Sequence, residues 1–328
     1  MKRLLVTGGA GFIGSHIVHA LVARGDRVRV LDDLSSGTRE NLAGLEVGEP
    51  GSGAPVELLV GGVSDRAAVE AGCAGVDGVF HHAALVSVPD SVARPEASFE
   101  INVSGTFEVL RAARAAGVGG VVFASSSAVY GDDETVPKVE TMAPRPISPY
   151  AGDKLTGETM LAVWSRSYGL ASAALRYFNV FGPRQTDGSP YSGVIALFAR
   201  ACLAGESITV HGDGEQTRDF VFVEDVARAN LLAMDACLGG TAEEPDSVLN
   251  VGSGEAVSIN ELYREVATCA GRGDAPAHGP ARAGDVRHSR ASIAEIRARL
   301  GFEPQVQRSA GLARTVDWYR ERVEATRT

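Results

Sequence analysis

Apolar residues gather in short runs that alternate with helical stripes along most of this chain. Leu4, Leu5 and Val6 form a run of strand length, and Phe12, Ile13, Ile17, Val18, Leu21 and Val22 then recur at helical spacing until Gly25 supplies a stop. A second apolar strand covers residues 27–31. The alternation continues with strands at 56–60, 78–82 and 121–124 and helices at 66–71 and 97–116. Unbroken apolar strands separated by helices predict a doubly wound parallel α/β sheet. Residues 47–55 are rich in Gly and Pro and read as a surface loop. After residues 175–179 the composition turns to loop residues at 182–190, where a lobe boundary is expected. Residues 1–180 then form the sheet domain, with 219–252 returning to it through a strand at 248–252, and 181–328 form mainly a smaller C-terminal lobe. In that lobe 191–203 reads as a helix and 207–211 as a strand, while 293–300 and 311–323 are amphipathic helices.

The first strand-to-helix junction carries candidate chemistry. Gly9, Gly11 and Gly14 match G-x-G-x-x-G, and Thr7, Gly8, Gly11 and Gly14 fit the related T-G-x-x-G-x-x-G pattern. Without Cβ atoms such a turn takes positive φ and lets a pyrophosphate approach the backbone, where the helix N-terminus offers unpaired N–H groups. The second strand ends in Asp32, eighteen residues after Gly14. A carboxylate there accepts hydrogen bonds from both adenosine ribose hydroxyls and repels a 2′-phosphate, which favours NAD over NADP. The polar stretch from Asp33 to Gly37 is set to close over the adenosine end.

Composition narrows the partners. The 328 residues carry 31 basic and 41 acidic side chains, a formal charge of −10, so nucleic acid and anionic membranes have no general electrostatic support. No apolar stretch reaches the roughly 18 residues that would span a bilayer, and the apolar start breaks at Thr7-Gly8-Gly9, unlike a signal peptide. Cys73, Cys202, Cys237 and Cys269 are scattered and the seven histidines show no ligand spacing, so no metal is expected and a reduced, cytoplasmic protein is the simplest reading. His81 and His82 are adjacent at a strand end, and His81 is expected to be a packed, singly bonded core residue.

Chemistry of a second kind follows the strand at 121–124, which runs into Ser125-Ser126-Ser127 at the sheet's carboxyl edge. Tyr150 and Lys154 stand at i and i+4, which puts phenol and ammonium on one helix face. A tyrosine of ordinary pKa, about 10, is a poor base at neutral pH; a neighbouring ammonium and a positively charged nicotinamide are expected to bring it down. A lone asparagine such as Asn102 in a helix is by itself expected to face solvent or bond locally.

Taken together, TGGAGFIGSH, Asp32, FASSSAVYG, YAGDK and RYFNVFGPRQ resemble the extended short-chain dehydrogenase/reductase family, and within it the UDP-sugar 4-epimerases, over nearly the whole chain. The resemblance implies a Rossmann-type sheet with a nucleotide-sugar-binding lobe, and Ser126, Tyr150 and Lys154 as the catalytic set. For NAD it implies Gly8, Gly11, Phe12, Ile13 and Gly14 at the turn, and Asp32, Asp33, Leu34, Ser35, Ser36, Gly37, Gly62 and Val63 at the adenosine end. His82, Ala83, Ala84, Val86, Asn102, Tyr177 and Phe178 lie further along the cofactor. For the UDP-sugar it implies Ser87, Asn179, Gly193, Val194, Thr209, His211, Arg218, Arg282, Asp285 and Ser289 beside Ser126 and Tyr150, with Arg218 and Arg282 gripping the diphosphate. A homodimer through the helices at 97–116 and 150–164 is also implied.

Three positions depart from the pattern. Gly62 replaces an aspartate that faces adenine, Val86 replaces a lysine on a cofactor phosphate, and Ser289 replaces a bulky tyrosine, which widens the pocket for an N-acetyl group. Sibling 4,6-dehydratases and decarboxylases need acidic residues just after the catalytic serine, where this chain has Ser127-Ala128. UDP-glucuronate 4-epimerisation stays open through Arg184. A non-catalytic NAD-binding regulator on the same fold is disfavoured because tyrosine and lysine are both kept.

Overall fold

The computed structural model describes residues 1–186, 193–240, 246–281 and 286–327. Strand β1 (Arg3–Thr7) leaves no exposed area at Leu4, Leu5 or Val6; covered on both faces, it needs an unbroken apolar run rather than alternation. The glycines turn it into α1 (Phe12–Ala23), which returns the chain to β2 (Arg27–Asp32), parallel to β1. Next come β3 (Val47–Gly48), β4 (Val56–Val60), α2 (Arg66–Cys73) and β5 (Gly78–His81). Helix α2 starts where the Asp65 carboxylate accepts the amides of Ala67 and Ala68, satisfying two orphan donors. Helices α3 (Val88–Ala93), α4 (Pro95–Phe99) and α5 (Gly105–Ala115) lead to β6 (Gly120–Ser126). Helix α6 (Pro149–Tyr168), opened by the Ser148 cap and by Pro149 in its first turn, leads to β7 (Ala171–Tyr177).

The chain then leaves the sheet through β8 (Asn179–Phe181), α7 (Val194–Ala204), β9 (Thr209–His211), β10 (Thr217–Arg218) and β11 (Phe220–Phe222). Helix α8 (Val223–Gly239) and β12 (Asp246–Val251) bring it back. Strand β13 (Val257–Ser258), α9 (Ile259–Cys269), β14 (Ala277–Gly279), α10 (Ala294–Leu300) and α11 (Arg308–Arg327) follow. The main sheet runs β12-β7-β6-β5-β1-β2-β4-β3 with every pairing parallel. Winding proceeds outward from β1 to one edge and from β5 to the other, so it reverses between them. Ligands of open α/β sheets bind in the crevice at that reversal, beyond the strands' carboxyl ends.

Separate apolar clusters cover the two sheet faces, one including α1 and α8, the other including α2, α5 and α6. A further core fills the C-terminal lobe, where Phe181, Phe198, Phe222, Tyr263 and Tyr319 are buried and several rings meet edge to face. Asp219 joins lobe to sheet. Its fully buried carboxylate accepts the amides of Ser253, Gly254 and Ala291 and the Ser253 hydroxyl, at 2.7–3.1 Å.

The fold departs from the sequence reading in three places. Residues 47 and 48 are not loop but the edge strand β3 beside β4. The expected helix at 97–116 is broken in register, because a π-helical turn at Glu100–Ser104 separates α4 from α5. Of the segment 219–252, residues 220–222 pair with β8 outside the main sheet, while β12 lies within it beside β7. Among the described residues no helix is long and apolar enough to cross a membrane.

Asp219→Ala leaves four donors without their acceptor and should cost roughly 3 kcal/mol or more. A melting temperature lower by several degrees is the expected result.

Candidate active site

The glycine turn has no room for side chains. Gly8 adopts φ +67° while its amide donates to the Leu31 carbonyl, and a Cβ there would stand 2.7 Å from the Ala83 nitrogen. A Cβ on Gly14 would stand 2.1 Å from the Gly8 carbonyl oxygen. Helix α1 begins at Gly11 without a side-chain cap, and its first i to i−4 bond runs from Ser15 to Gly11. The amides of Phe12, Ile13 and Gly14 therefore point out of the helix end, towards the crevice. This cradle fits a dinucleotide pyrophosphate.

The adenosine side is more constrained than the sequence suggested. Each Asp32 oxygen already accepts a backbone amide, from Ala10 and from Leu34, both at 2.9 Å. The residue thus braces the turn with one lone pair per oxygen remaining for a ribose, and burial pushes its pKa up. Leu34 holds a left-handed φ of 59°, and Gly37 packs so tightly on Ala10 that a Cβ would approach its carbonyl carbon to 2.8 Å. Ser35 and Ser36 are exposed, and Ser35 bonds the Asp33 carboxylate. The other Asp33 oxygen is 3.9 Å from where a Cβ on Gly62 would be, so a carboxylate still faces the position that lost one. Val63 is buried, its side chain close to Gly105.

Beyond β5 the Thr7 hydroxyl accepts the amides of His82 and Ala83 and pairs with the His81 ring, whose other nitrogen meets Thr106. His81 is the packed core histidine expected, though bonded on both sides, and burial pushes its pKa down to about 3. Thr7, which opens the glycine motif, thus also braces the end of β5. His82 Nε2 bonds the Tyr177 hydroxyl at 2.9 Å, and that hydroxyl donates to Asn230. Ala84 is half-buried, whereas Val86 is exposed. Ser87 caps α3 by accepting the Asp90 amide.

Of the two expectations for Asn102, facing solvent or bonding locally, the first is not met, while the second is met in part by its bond to Ser98 one turn earlier. Asn102 is buried in the π turn, accepts the Leu85 amide and donates to the Leu85 carbonyl and to Asp153, fixing the loop after β5. π turns recur at functional sites.

Ser126 ends β6 and caps the 3₁₀ turn Ser127–Tyr130 by accepting the Ala128 amide. Its hydroxyl lies near the Tyr150 phenol and pulls that group's pKa down against the effect of burial. The Tyr150 amide donates to Ser91, which had no part in the sequence reading. Lys154 Nζ lies 5.8 Å from the Tyr150 ring centroid and 4.9 Å from that of Phe123. Burial lowers its pKa to about 8, against the pull of Asp153. The three side chains do converge. Burial lifts the Tyr150 pKa above its ordinary value, and Ser126 opposes the rise; the ammonium stands over the ring faces, and the expected lowering is one that ammonium and nicotinamide produce together.

Tyr177 and Phe178 are buried at the end of β7, and Asn179 is exposed and donates to the Asp219 carbonyl. In the lobe, Gly193 and Val194 form the start of α7, and a Cβ on Gly193 would crowd the Gln185 amide. Thr209 and His211 share β9, where the His211 ring bonds the Pro280 carbonyl. Arg218 donates to the carbonyls of Thr217 and Arg287, and the Ser289 amide donates to that same Thr217 carbonyl, so Arg218 and Ser289 are neighbours. Arg287, missed in the sequence, pairs both nitrogens with Asp213. Arg282 and Asp285 lie outside the described residues. Arg184, considered for a carboxylate, donates to Ser15 on α1.

The glycine turn and the phenol stand at the carboxyl ends of β1 and β6, flanking β5, so one extended dinucleotide serves both. A fold and site so combined define a short-chain dehydrogenase/reductase. More closely, the chain belongs to the NAD dependent epimerase/dehydratase family, whose sequence profile matches residues 4–252. It is 39% identical to a UDP-glucose 4-epimerase of Mycolicibacterium smegmatis over 98% of this chain and 99% of that one. Among solved structures it is similar to the Thermus thermophilus UDP-glucose 4-epimerase in complex with NAD, at 40% identity and TM-score 0.84 over 97% of this chain and 99% of that one. A UDP-N-acetylglucosamine 4-epimerase from Methanobrevibacter ruminantium, solved with UDP-N-acetylmuramic acid, matches at 38% identity and TM-score 0.89 over 98% and 99%.

With nucleotide stripped from both proteins, Lys154→Met should melt higher than its parent at pH 7. The lysine's pKa falls from 10.5 to about 8 on folding, so its buried charge costs stability below pH 8, and the cost is relieved as pH rises towards 10.5. The variant's advantage should therefore shrink across that window in a pH series of melting curves.

Proposed function

We propose that this protein is an NAD-dependent 4-epimerase of UDP-hexoses, acting on UDP-glucose and UDP-galactose and also on their N-acetylated counterparts. The observation that carries the reading is the convergence of Ser126, Tyr150 and Lys154 at the end of β6, followed by a 3₁₀ turn, Ser-Ala-Val-Tyr, without the carboxylates a dehydratase needs. Residues 1–180 with β12 serve the dinucleotide, and the remainder mainly the nucleotide sugar.

When bound, NAD supplies a reversible two-electron sink at C4 of the sugar. The cradle formed by Gly8, Gly14 and the α1 amides holds its pyrophosphate, and Asp32 its adenosine ribose. Tyr150 takes the proton of the 4-hydroxyl through Ser126, whose hydroxyl bridges phenol and sugar. Burial keeps the phenol protonated until a positive ligand enters, which ties ionisation of the base to occupancy of the site. Lys154, charged in the greater part at pH 7, offers its ammonium to the ribose end. With the cofactor bound, inversion would require the oxidised sugar to present its other face, and Tyr150 would return the proton to the C4 oxygen through Ser126. Net redox change is zero.

Arg218 stands ready for the diphosphate, and the small Ser289 beside it leaves space at C2 of the sugar. The second partner is another copy of the chain. Phe99, Phe107 and Val163 expose large apolar side chains on α4 to α6, the surface expected for a homodimer, and Val92 on α3 is exposed as well. Four free cysteines suit a cytoplasmic enzyme.

An NMR time course with a panel of UDP-hexoses tests the activity. New anomeric signals should grow from UDP-glucose and UDP-N-acetylglucosamine, heat-denatured protein should release NAD that was never added, and Tyr150→Phe should abolish turnover while melting like its parent. Rejection of every UDP-hexose would overturn the assignment. For the dimer, light scattering should report twice the chain mass, falling to one chain for the double variant Phe99→Glu, Val163→Glu.

A further inference from the structure

Behind the catalytic set lies a buried ion pair that the mechanism does not use. Glu158 stands on α6 one turn beyond Lys154 and two beyond Tyr150, on the same helix face. Both its oxygens are taken: Arg176 Nε donates to one at 2.9 Å and Nη2 to the other at 2.7 Å, and the Ser125 hydroxyl donates to the first. Ser125 precedes Ser126 on β6, and Arg176 is its register partner on β7. The guanidinium also lies 4.8 Å from the centre of the Tyr130 ring, on the turn that Ser126 caps, and the Tyr130 hydroxyl donates to Asn250 on β12. Asn250 is in turn the register partner of Arg176.

Burying such a pair is expensive, and apolar side chains of similar volume often stabilise a core as well or better. Arg176 Nη1 adds to the cost, being buried without a hydrogen-bond acceptor. What apolar packing lacks is direction. Two parallel hydrogen bonds to one guanidinium and a third to Ser125 fix how far α6 is slid along β6, and that slide sets the approach of the Tyr150 phenol to the Ser126 hydroxyl.

We propose that Glu158, Arg176 and Ser125 form a positioning clamp that holds the Tyr150 phenol against the Ser126 hydroxyl. None of the three touches substrate or cofactor in this role. The clamp rests on the epimerase reading for its effect on turnover, but not for its effect on the phenol itself.

Two variants test it. Ser125→Ala removes one arm; Glu158→Leu with Arg176→Met replaces the pair by apolar side chains and leaves no unpaired charge. Each is compared with its parent in melting temperature, in kcat and KM, and in the titration of the Tyr150 phenol followed by carbon-13 tyrosine NMR, with that signal assigned by its loss in Tyr150→Phe. The clamp predicts parental melting, a kcat lower on the order of 10- to 100-fold with KM nearly unchanged, and a phenol midpoint raised by about half a unit or more as the Ser126 contact loosens. Parental kcat and an unmoved phenol in Ser125→Ala would overturn it, and that single variant decides if the double one fails to fold. Should the parent turn over no UDP-hexose, the functional reading falls, while the phenol titration still decides the clamp.

Discussion

Close approach of backbone to backbone at the reversal of the sheet is the constraint on which the rest depends. Gly8 lies against the chain leaving β5, and Gly14 against Gly8, so tightly that a single added carbon would overlap main-chain atoms. That closeness brings the α1 amides to the mouth of the crevice and leaves nothing between them and an anion. Thr7 and Asp32 maintain it from either side, one by accepting two amides after β5, the other by accepting two around the turn. Residues that a sequence reading treats as ligand contacts are thus first of all braces for the backbone.

Burial sets the electrostatics of the site. A chain with a formal charge of −10 would attract a cationic ligand and repel a nucleotide, yet the crevice presents a helix N-terminus and a buried ammonium. Desolvation lowers Lys154 and raises Tyr150 together, which keeps the phenol neutral at pH 7 while the lysine, at about 8, stays mostly charged. His81 and His82 are held uncharged by the same cause. Proton affinity here is governed by what surrounds each group rather than by any single neighbour.

Polar atoms as well as apolar packing tie the lobes. Asp219 gathers four donors from segments more than thirty residues away, while its neighbour Arg218 stays at the lobe surface close to Ser289. A short strand pair, β8 with β11, carries the chain between the two cores.

Local patterns were legible in the chain itself. The strand and helix alternation, the glycine spacing and the i, i+4 pairing of Tyr150 with Lys154 depend on neighbours a few residues apart, and the folded chain keeps them except for the edge strand at 47–48 and the break in the helix at 97–116. The π turn at Asn102 could not be read, nor could the bonds of that side chain to Leu85 and Asp153, remote in sequence. Nor could the upward push on Tyr150, the second duty of Asp32, or the meeting of Ser125, Glu158 and Arg176. Spacing along one element is written in covalent geometry, whereas burial and the partners of a buried charge exist only after distant segments have packed.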